Sequence, residues 1–400
     1  MSPTSDPSSS NTSIGRAAFF DIQHNVRNYW YPLIPSSEVS SSQPAKHHIW
    51  GDPVVIYRDP STHEVIAFED RCPHRAAPLS SGRIMNGNLE CRYHGWQYDS
   101  AGECVVVPST AANAKLPNVE IRKYPIREAN EWVWIWPGEA EKVDDGGQPG
   151  VRLMGGREDE FSAWSGYVDL DIDHSLLVEN FLDPAHLPFT HDTTISKRSN
   201  ATQMTITEVR FTTDSVRCRP VTADRPDLTI VDFEFRVPCG IMLGFTRVPK
   251  KVSTAGVPTK PRRPFDQTFY AVPTRKGHCR FIYFQRMPFI PDPSSSLLFR
   301  FLPPLKWFFA WWLHRFNKRV LQEDYDMLRG LQQNLAYGAR AVDTRVAAPA
   351  DTIIIVYREW WRKTVGVGKG VWFGGYGTGD IEDIVLETAA ICGLAHRKRE

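Results

Sequence analysis

No sign of charge dominates this 400-residue chain: 47 Lys and Arg stand against 46 Asp and Glu, a formal net charge of +1. Bulk nucleic-acid binding needs a basic face, and this balance excludes it. Nor does any apolar run reach the length of a membrane span. The longest, Leu297 to Leu313 (LLFRFLPPLKWFFAWWL), is broken by Arg300, Pro303, Pro304 and Lys306. Its Trp and Phe density suits a core helix, with a face resting on a membrane surface as the alternative. The opening MSPTSDPSSSNTS has no apolar stretch and reads as a disordered tail, not a secretory signal. Seven cysteines are an odd set, and Cys104, Cys218, Cys239, Cys279 and Cys392 show no paired spacing, which fits reduced thiols in a reducing compartment. The chain also lacks a Gly-X-Gly-X-X-Gly in strand–helix context and any flavin signature. The glycine-rich GVGKGVWFGGYGTG has neither the spacing nor the helix of a phosphate loop and reads as flexible. Lys250, Lys251, Lys260, Arg262 and Arg263 read as a solvated loop.

What is present is concentrated in two constellations. The first is Cys72, His74, Cys91 and His94, in CPHRAAPLSSG and CRYHGWQYDSAGEC. Two thiolates and two imidazoles on adjacent loops are the ligand set of a [2Fe–2S] centre of Rieske type, thiolates on one iron and histidines on the other. Neutral imidazoles make such a cluster less negative and raise its potential. A mononuclear zinc site uses similar spacings. The flanks favour the cluster, because Pro73, Gly82, Tyr93, Gly95 and Trp96 make two turn-rich tips able to wrap it and exclude water.

The second is ENFLDPAHLPFTH, which holds Asn180, Asp183, His186 and His191. A helix breaking near Pro188 would bring both imidazoles to one point, and a two-histidine Fe(II) site needs one carboxylate to complete it. Asp324 is the candidate, since it sits in the stripe Phe316, Val320, Asp324, Leu328, Leu331, Leu335, where a lone buried carboxylate is costly unless paired or metal-bound. Glu323 and Asp326 fall off that stripe and read as solvated. Asp183 stands one turn before His186, placed either to accept a hydrogen bond from a ligand histidine or to cap the following backbone. His174 has no companion ligand and reads as a surface or polar-network histidine.

Organisation follows the same division. A tail covers residues 1–27. From 28 to 140, short β-type runs such as DPVVIYRD, EVIAFED and EWVWIWPG predict an antiparallel β domain whose tips hold the first ligand set. EKVDDGGQPG, 141–150, reads as a linker. From 151 to 400 an early helix, several strands and a long helix from about Leu305 to Gly338 predict an α+β domain, an antiparallel sheet gripping helices. TIIIVYREWWRK, past Asp351, reads as one more strand or an amphipathic segment.

Together the two constellations resemble the oxygenase component of Rieske non-haem iron oxygenases over roughly residues 28 to 340. The resemblance implies an N-terminal antiparallel β Rieske [2Fe–2S] domain and a helix-grip catalytic domain. It implies cluster ligands Cys72, His74, Cys91 and His94, and mononuclear Fe(II) held by His186, His191 and Asp324. Asp183 would link an iron-ligand histidine to a cluster histidine across the subunit boundary of a homotrimer, and Asn180 would lie just behind the ligands. ENFLDPAHLPFTH, QEDYDMLRGLQQN and VYREWWRK look like the chlorophyllide a oxygenase and pheophorbide a oxygenase branch. That implies O2, a ferredoxin-type donor with its reductase, and a hydrophobic ring substrate such as a tetrapyrrole. Departures are the lack of the long N-terminal extension of plant chlorophyllide a oxygenases and of the C-terminal Cys-X-X-Cys and anchor of pheophorbide a oxygenases. The expected location is cytoplasmic or plastid, with peripheral membrane contact open. The same metals also suit an O- or N-demethylase of a smaller aromatic, and the first set alone would suit an electron carrier.

Overall fold

The computed structural model describes residues 26–364 apart from 112–113, 144–146, 148, 152–163, 213, 223–229, 247–264, 287–296 and 337–348. The N-terminal tail, the basic residues from Lys250 to Arg263, the glycine-rich stretch after Thr364 and Cys392 lie outside the described residues.

The N-terminal half is built from β1 (Tyr31–Pro35), β2 (Ala45–Ile49), β3 (Asp52–Arg58), β4 (Val65–Glu69), β5 (Arg83–Met85), β6 (Asn88–Glu90), β7 (Gln97–Tyr98), β8 (Cys104–Val106), β9 (Ile126–Ala129) and β10 (Trp132–Ile135). They form small antiparallel sheets ordered β1-β10-β9, β2-β3-β4 and β5-β6-β7-β8. Val54-Val55-Ile56-Tyr57 in β3 is apolar without alternation, the mark of a strand buried on both faces. All four are buried, and successive side chains feed two different cores. Val54 and Ile56 join the large core shared with the C-terminal half. Val55 and Tyr57 pack with Phe68, Cys72, Leu79, Leu89, Cys91 and Tyr98 in a small core under the two cysteine loops.

The C-terminal half is a seven-stranded antiparallel sheet of β11 (Trp164–Leu170), β12 (Met204–Phe211), β13 (Ser215–Thr222), β14 (Ile230–Arg236), β15 (Gly240–Thr246), β16 (Phe265–Arg275) and β17 (His278–Arg286), ordered β11-β17-β16-β15-β14-β13-β12. Five helices accompany it among the described residues: α1 (His174–Leu182), α2 (Leu187–Thr190), α3 (Leu297–Phe301), α4 (Pro303–Ala336) and α5 (Thr352–Thr364). The architecture is thus the expected α+β one. Asp173 starts α1, its side chain accepting from Ser175 N at 3.0 Å and Ser175 Oγ at 2.7 Å. Pro184 ends α1, because a residue before proline is pushed out of the helical region, and Asp183 takes φ −93° and ψ 104°.

The two halves share one core. Trp132 and Trp134 of β10 pack against Phe284 and Tyr270, with ring centroids 5.4 and 5.6 Å apart. Arg280 reaches across from β17: its Nη1 donates to Leu33 O at 2.7 Å, while Nε and Nη2 hold Asp169 at 2.6 and 2.8 Å.

Three expectations change and one open alternative is resolved. The TIIIVYREWWRK segment takes the amphipathic reading over the strand: it is a helix, because Ile353, Val356, Tyr357, Trp360 and Trp361 repeat at three to four residues and all are buried. The break in the ENFLDPAHLPFTH helix falls at Asp183–His186 rather than at Pro188, which is tolerated in the first turn of α2. The buried stripe of α4 runs Leu313, Leu321, Asp324, Leu328, and Leu331 is exposed. Finally, Leu297 to Leu313 is not a core segment. Phe299 and Leu313 are buried, but Phe301, Trp307, Phe308 and Trp311 face solvent, since a helix that is apolar all round can bury only the side toward its sheet.

Glu179 of α1 is buried and held by both Arg358 nitrogens of α5, Nε at 2.7 Å and Nη2 at 2.6 Å. Arg358→Ala strands that carboxylate, and urea unfolding should show a loss of about 3 kcal/mol. The paired change Glu179→Gln/Arg358→Ala should recover part of it.

Candidate metal centres

Each cysteine loop is closed by the same pair of backbone bonds. Cys72 N donates to Ala77 O and Ala76 N to Cys72 O, both at 2.8 Å; Cys91 N donates to Trp96 O at 2.8 Å and Gly95 N to Cys91 O at 2.9 Å. The fifth residue of each turn is left-handed, Ala76 at φ 58° and Gly95 at φ 72°. Histidine sits third in one turn and fourth in the other. Otherwise equivalent turns therefore present their imidazoles from different places to a common tip. The His74 and His94 ring centroids lie 4.6 Å apart, and Trp96 stacks on His74 at 4.4 Å and 7°. Gly82 is required where the loops cross, since a Cβ there would collide with the Glu90 carbonyl oxygen.

The donors are divided by environment. Cys72 and Cys91 are buried in the small core, whereas His94 is exposed and His74 half-buried. Burial pushes the Cys91 thiol up, and Cys72 beside it adds to the effect. Tyr98 Oη lies 3.1 Å from Cys72 Sγ, positioned to donate to a thiolate there. The buried His74 Nδ1 has no hydrogen-bond partner. Two buried cysteine sulfurs side by side and an orphaned ring nitrogen suit a metal cluster that takes two sulfurs inside and two nitrogens at the tip.

The second centre sits where the broken α1–α2 segment meets α4. His186, His191 and Asp324 each offer a ligand atom within 4.8 Å of the other two. Asp324 Oδ1 lies 3.4 Å from His186 Nε2 and 3.1 Å from His191 Nε2, yet makes no aligned hydrogen bond. Asp324 is 3% exposed. Burial alone would raise its pKa, but the two imidazoles outweigh that and hold it low. Burial alone would lower the His186 pKa, and Asp183 and Asp324 overcome it to push it up to about 9.

Glu323 is the residue that sequence reasoning missed. It is not solvated: His191 Nδ1 donates to Glu323 Oε2 at 2.8 Å, and Thr193 and Thr194 hydroxyls donate to the same carboxylate at 3.2 and 2.7 Å. A carboxylate on Nδ1 fixes the tautomer and aims Nε2 at the metal position. Its neighbour Asp326 is exposed, as expected. Asp183 divides its two oxygens. Oδ1 accepts from Ala185 N at 2.7 Å, and Oδ2 faces His186 Nδ1 at 3.7 Å. Of the two uses, the backbone cap is made, whereas His186 Nδ1 has no hydrogen-bond partner and only faces the carboxylate. Within the chain, Asp183 has no contact with His74 or His94 among the described residues. Asn180 lies on the last turn of α1, its buried Nδ2 without a partner. His174 is fully buried between Trp50 and Trp361, 3.3 Å from Asp173, and is not a surface residue.

Comparison with known proteins bears on both centres. The Rieske [2Fe-2S] domain family matches residues 29–125, and the pheophorbide a oxygenase family matches 235–341. The chain is 28% identical to chloroplastic chlorophyllide a oxygenase of Chlamydomonas reinhardtii over 87% of its length and 50% of that protein. It is 29% identical to chloroplastic Protein TIC 55 of Pisum sativum over 86% of its length and 59% of that protein. It thus spans only half to three-fifths of these curated relatives. Dicamba monooxygenase bound to dicamba shares the fold, with a TM-score of 0.65 at 24% identity, covering 91% of this chain and 99% of that one. The matched domain is that of a Rieske [2Fe–2S] cluster, whose donor set the cysteine loops fit, and His186, His191 and Asp324 fit a mononuclear metal such as Fe(II).

Two outcomes follow. Glu323→Ala should weaken Fe(II) binding about 10- to 100-fold in a chelator competition while leaving the fold intact. Because an imidazole must be neutral to ligate and His186 holds its proton up to about pH 9 in the metal-free chain, Fe(II) loading should release protons. It should also tighten as pH rises through neutrality, as titration at several pH values would show.

Proposed function

Since the chain belongs to the Rieske non-haem iron oxygenases, with a Rieske domain ahead of a pheophorbide a oxygenase-type region, we propose that it hydroxylates a hydrophobic ring substrate, of the tetrapyrrole class, using O2 and electrons from a ferredoxin-type donor and its reductase. The observation that carries this reading is the convergence of His186, His191 and Asp324 in one buried corner. When bound, the cluster supplies single electrons and the iron activates dioxygen. Cys72, Cys91, His74 and His94 hold the cluster, and the small core beneath keeps water from its sulfurs. His186, His191 and Asp324 would hold the iron, as a two-histidine, one-carboxylate set does. Glu323 keeps the His191 proton on Nδ1. Asp183, with one oxygen tied to Ala185 N, keeps its second oxygen against His186.

In a homotrimer that second oxygen is also the acceptor for a cluster histidine of the neighbouring protomer, which makes assembly part of the reaction. The exposure of His94 and Tyr93 at the tip is what such a contact requires. The substrate class rests on the pheophorbide a oxygenase match, which covers the end of the sheet and all of α4.

The test is metal analysis with low-temperature EPR on anaerobically purified, reduced protein. About three irons per chain, a Rieske signal and an Fe–NO signal on adding nitric oxide are expected. A Rieske signal with no Fe–NO species would sink the oxygenase reading. Chlorophyllides and methoxyarenes are then offered in turn, formaldehyde release from the latter pointing to demethylation. Asp183→Ala should keep both metals yet cut coupled turnover by at least about a hundredfold; normal turnover would remove the bridging role.

A further inference from the structure

The outward face of α3 and the first turns of α4 is strongly apolar and is not used by either metal centre. Phe301 and Trp307 are each 76% exposed, Trp311 56% and Phe308 52%. A globular surface seldom shows so many large aromatics side by side unless something covers them. On α4 they fall on one stripe, Pro304, Trp307 with Phe308, then Trp311 with Trp312. The opposite side, with Leu305, Phe309 and Leu313, packs toward Trp164 and Phe299.

The charge beside this stripe is of one sign. From Leu297 to Gln322 the sequence has Arg300, Lys306, Arg315, Lys318 and Arg319 and no Asp or Glu. Arg315, Lys318 and Arg319 are exposed and continue the stripe directly after Trp311 and Trp312, and the Arg315 guanidinium lies 5.3 Å from the Trp311 ring centroid. Tryptophan and phenylalanine next to a band of cations is the composition that settles at the boundary between acyl chains and headgroups. A second copy of the same face is disfavoured, because it would set these cations against their equivalents with no carboxylate in the segment to answer them. No helix among the described residues is long and apolar enough to cross a membrane.

We propose that α3 and the N-terminal half of α4 form a peripheral docking surface for an anionic lipid bilayer. Phe301, Trp307, Phe308 and Trp311 enter the interface, and Arg315, Lys318 and Arg319 meet the lipid phosphates. The surface lies on the helix that carries Asp324, seventeen residues beyond Trp307, so docking would hold the iron corner about 25 Å along the helix from the lipid contact. This inference stands apart from the substrate assignment, and its readout does not involve turnover.

The full chain is mixed with phosphatidylcholine vesicles that do or do not contain phosphatidylglycerol, and bound protein is measured by co-sedimentation. Two variants accompany it, Trp307→Ser/Trp311→Ser and Lys318→Glu/Arg319→Glu, each checked for native circular dichroism and iron content. The expected result is salt-sensitive binding to the phosphatidylglycerol vesicles, reduced at least about tenfold in both variants and weak on phosphatidylcholine alone. Equal binding by wild type and variants would overturn the proposal, as would failure of the wild type to bind. Sedimentation velocity reads the competing occupant: if the tryptophan variant breaks up an oligomer and no vesicle binding is seen, the face is a protein interface.

Discussion

A carboxylate removed from water and answered only by two imidazoles is the constraint around which the C-terminal half is arranged. Asp324 is buried with both His186 and His191 at its oxygen and, among the described residues, no Lys or Arg paired with it. Such a group is costly to bury unless a charge or a metal compensates it. Its neighbours can therefore occupy few positions. The α4 helix must present residue 324 to the sheet side, and α1 must stop early enough for the chain to fold His186 and His191 back toward it. Pro184 does the stopping. Glu323, one residue before Asp324, then fixes the orientation of the second histidine.

The first centre is governed by a different economy. There the backbone does the positioning, through two turns of the same hydrogen-bond pattern, and the side chains differ only in where histidine is placed. The small core below supplies two buried sulfurs, and the tip supplies two nitrogens closer to solvent. One centre is set by tertiary packing between distant helices, the other by local turn geometry.

That difference explains what could be read from the amino acids alone. The cysteine loops are local, so their residues lie in two short segments and announce their chemistry. His186, His191 and Asp324 were legible because two are near neighbours and the third breaks an apolar stripe. Glu323 was not, since its role depends on Thr193, Thr194 and His191 arriving from another element, and a helix position off the stripe gives no local signal. The α5 segment was ambiguous for a related reason: five β-branched residues in a row, Thr352 to Val356, suit a strand, and only packing against the sheet decides for a helix. The aromatic segment before Asp324 misled in the opposite direction, because apolar composition does not say which side of a helix has a neighbour.

The shared core of the two halves has a consequence for how electrons travel. Halves joined by thin linkers are free to rotate against one another, but here Trp132 and Trp134 are sunk into the second sheet and Arg280 ties β17 to the backbone of β1. A large apolar interface of this kind removes swinging as an option. The tip that carries His74 and His94 therefore cannot visit a donor on one side and an acceptor on the other. On the proposed reading, the distance from this tip to a redox partner would be set by the fold itself, and the partner would have to come to it.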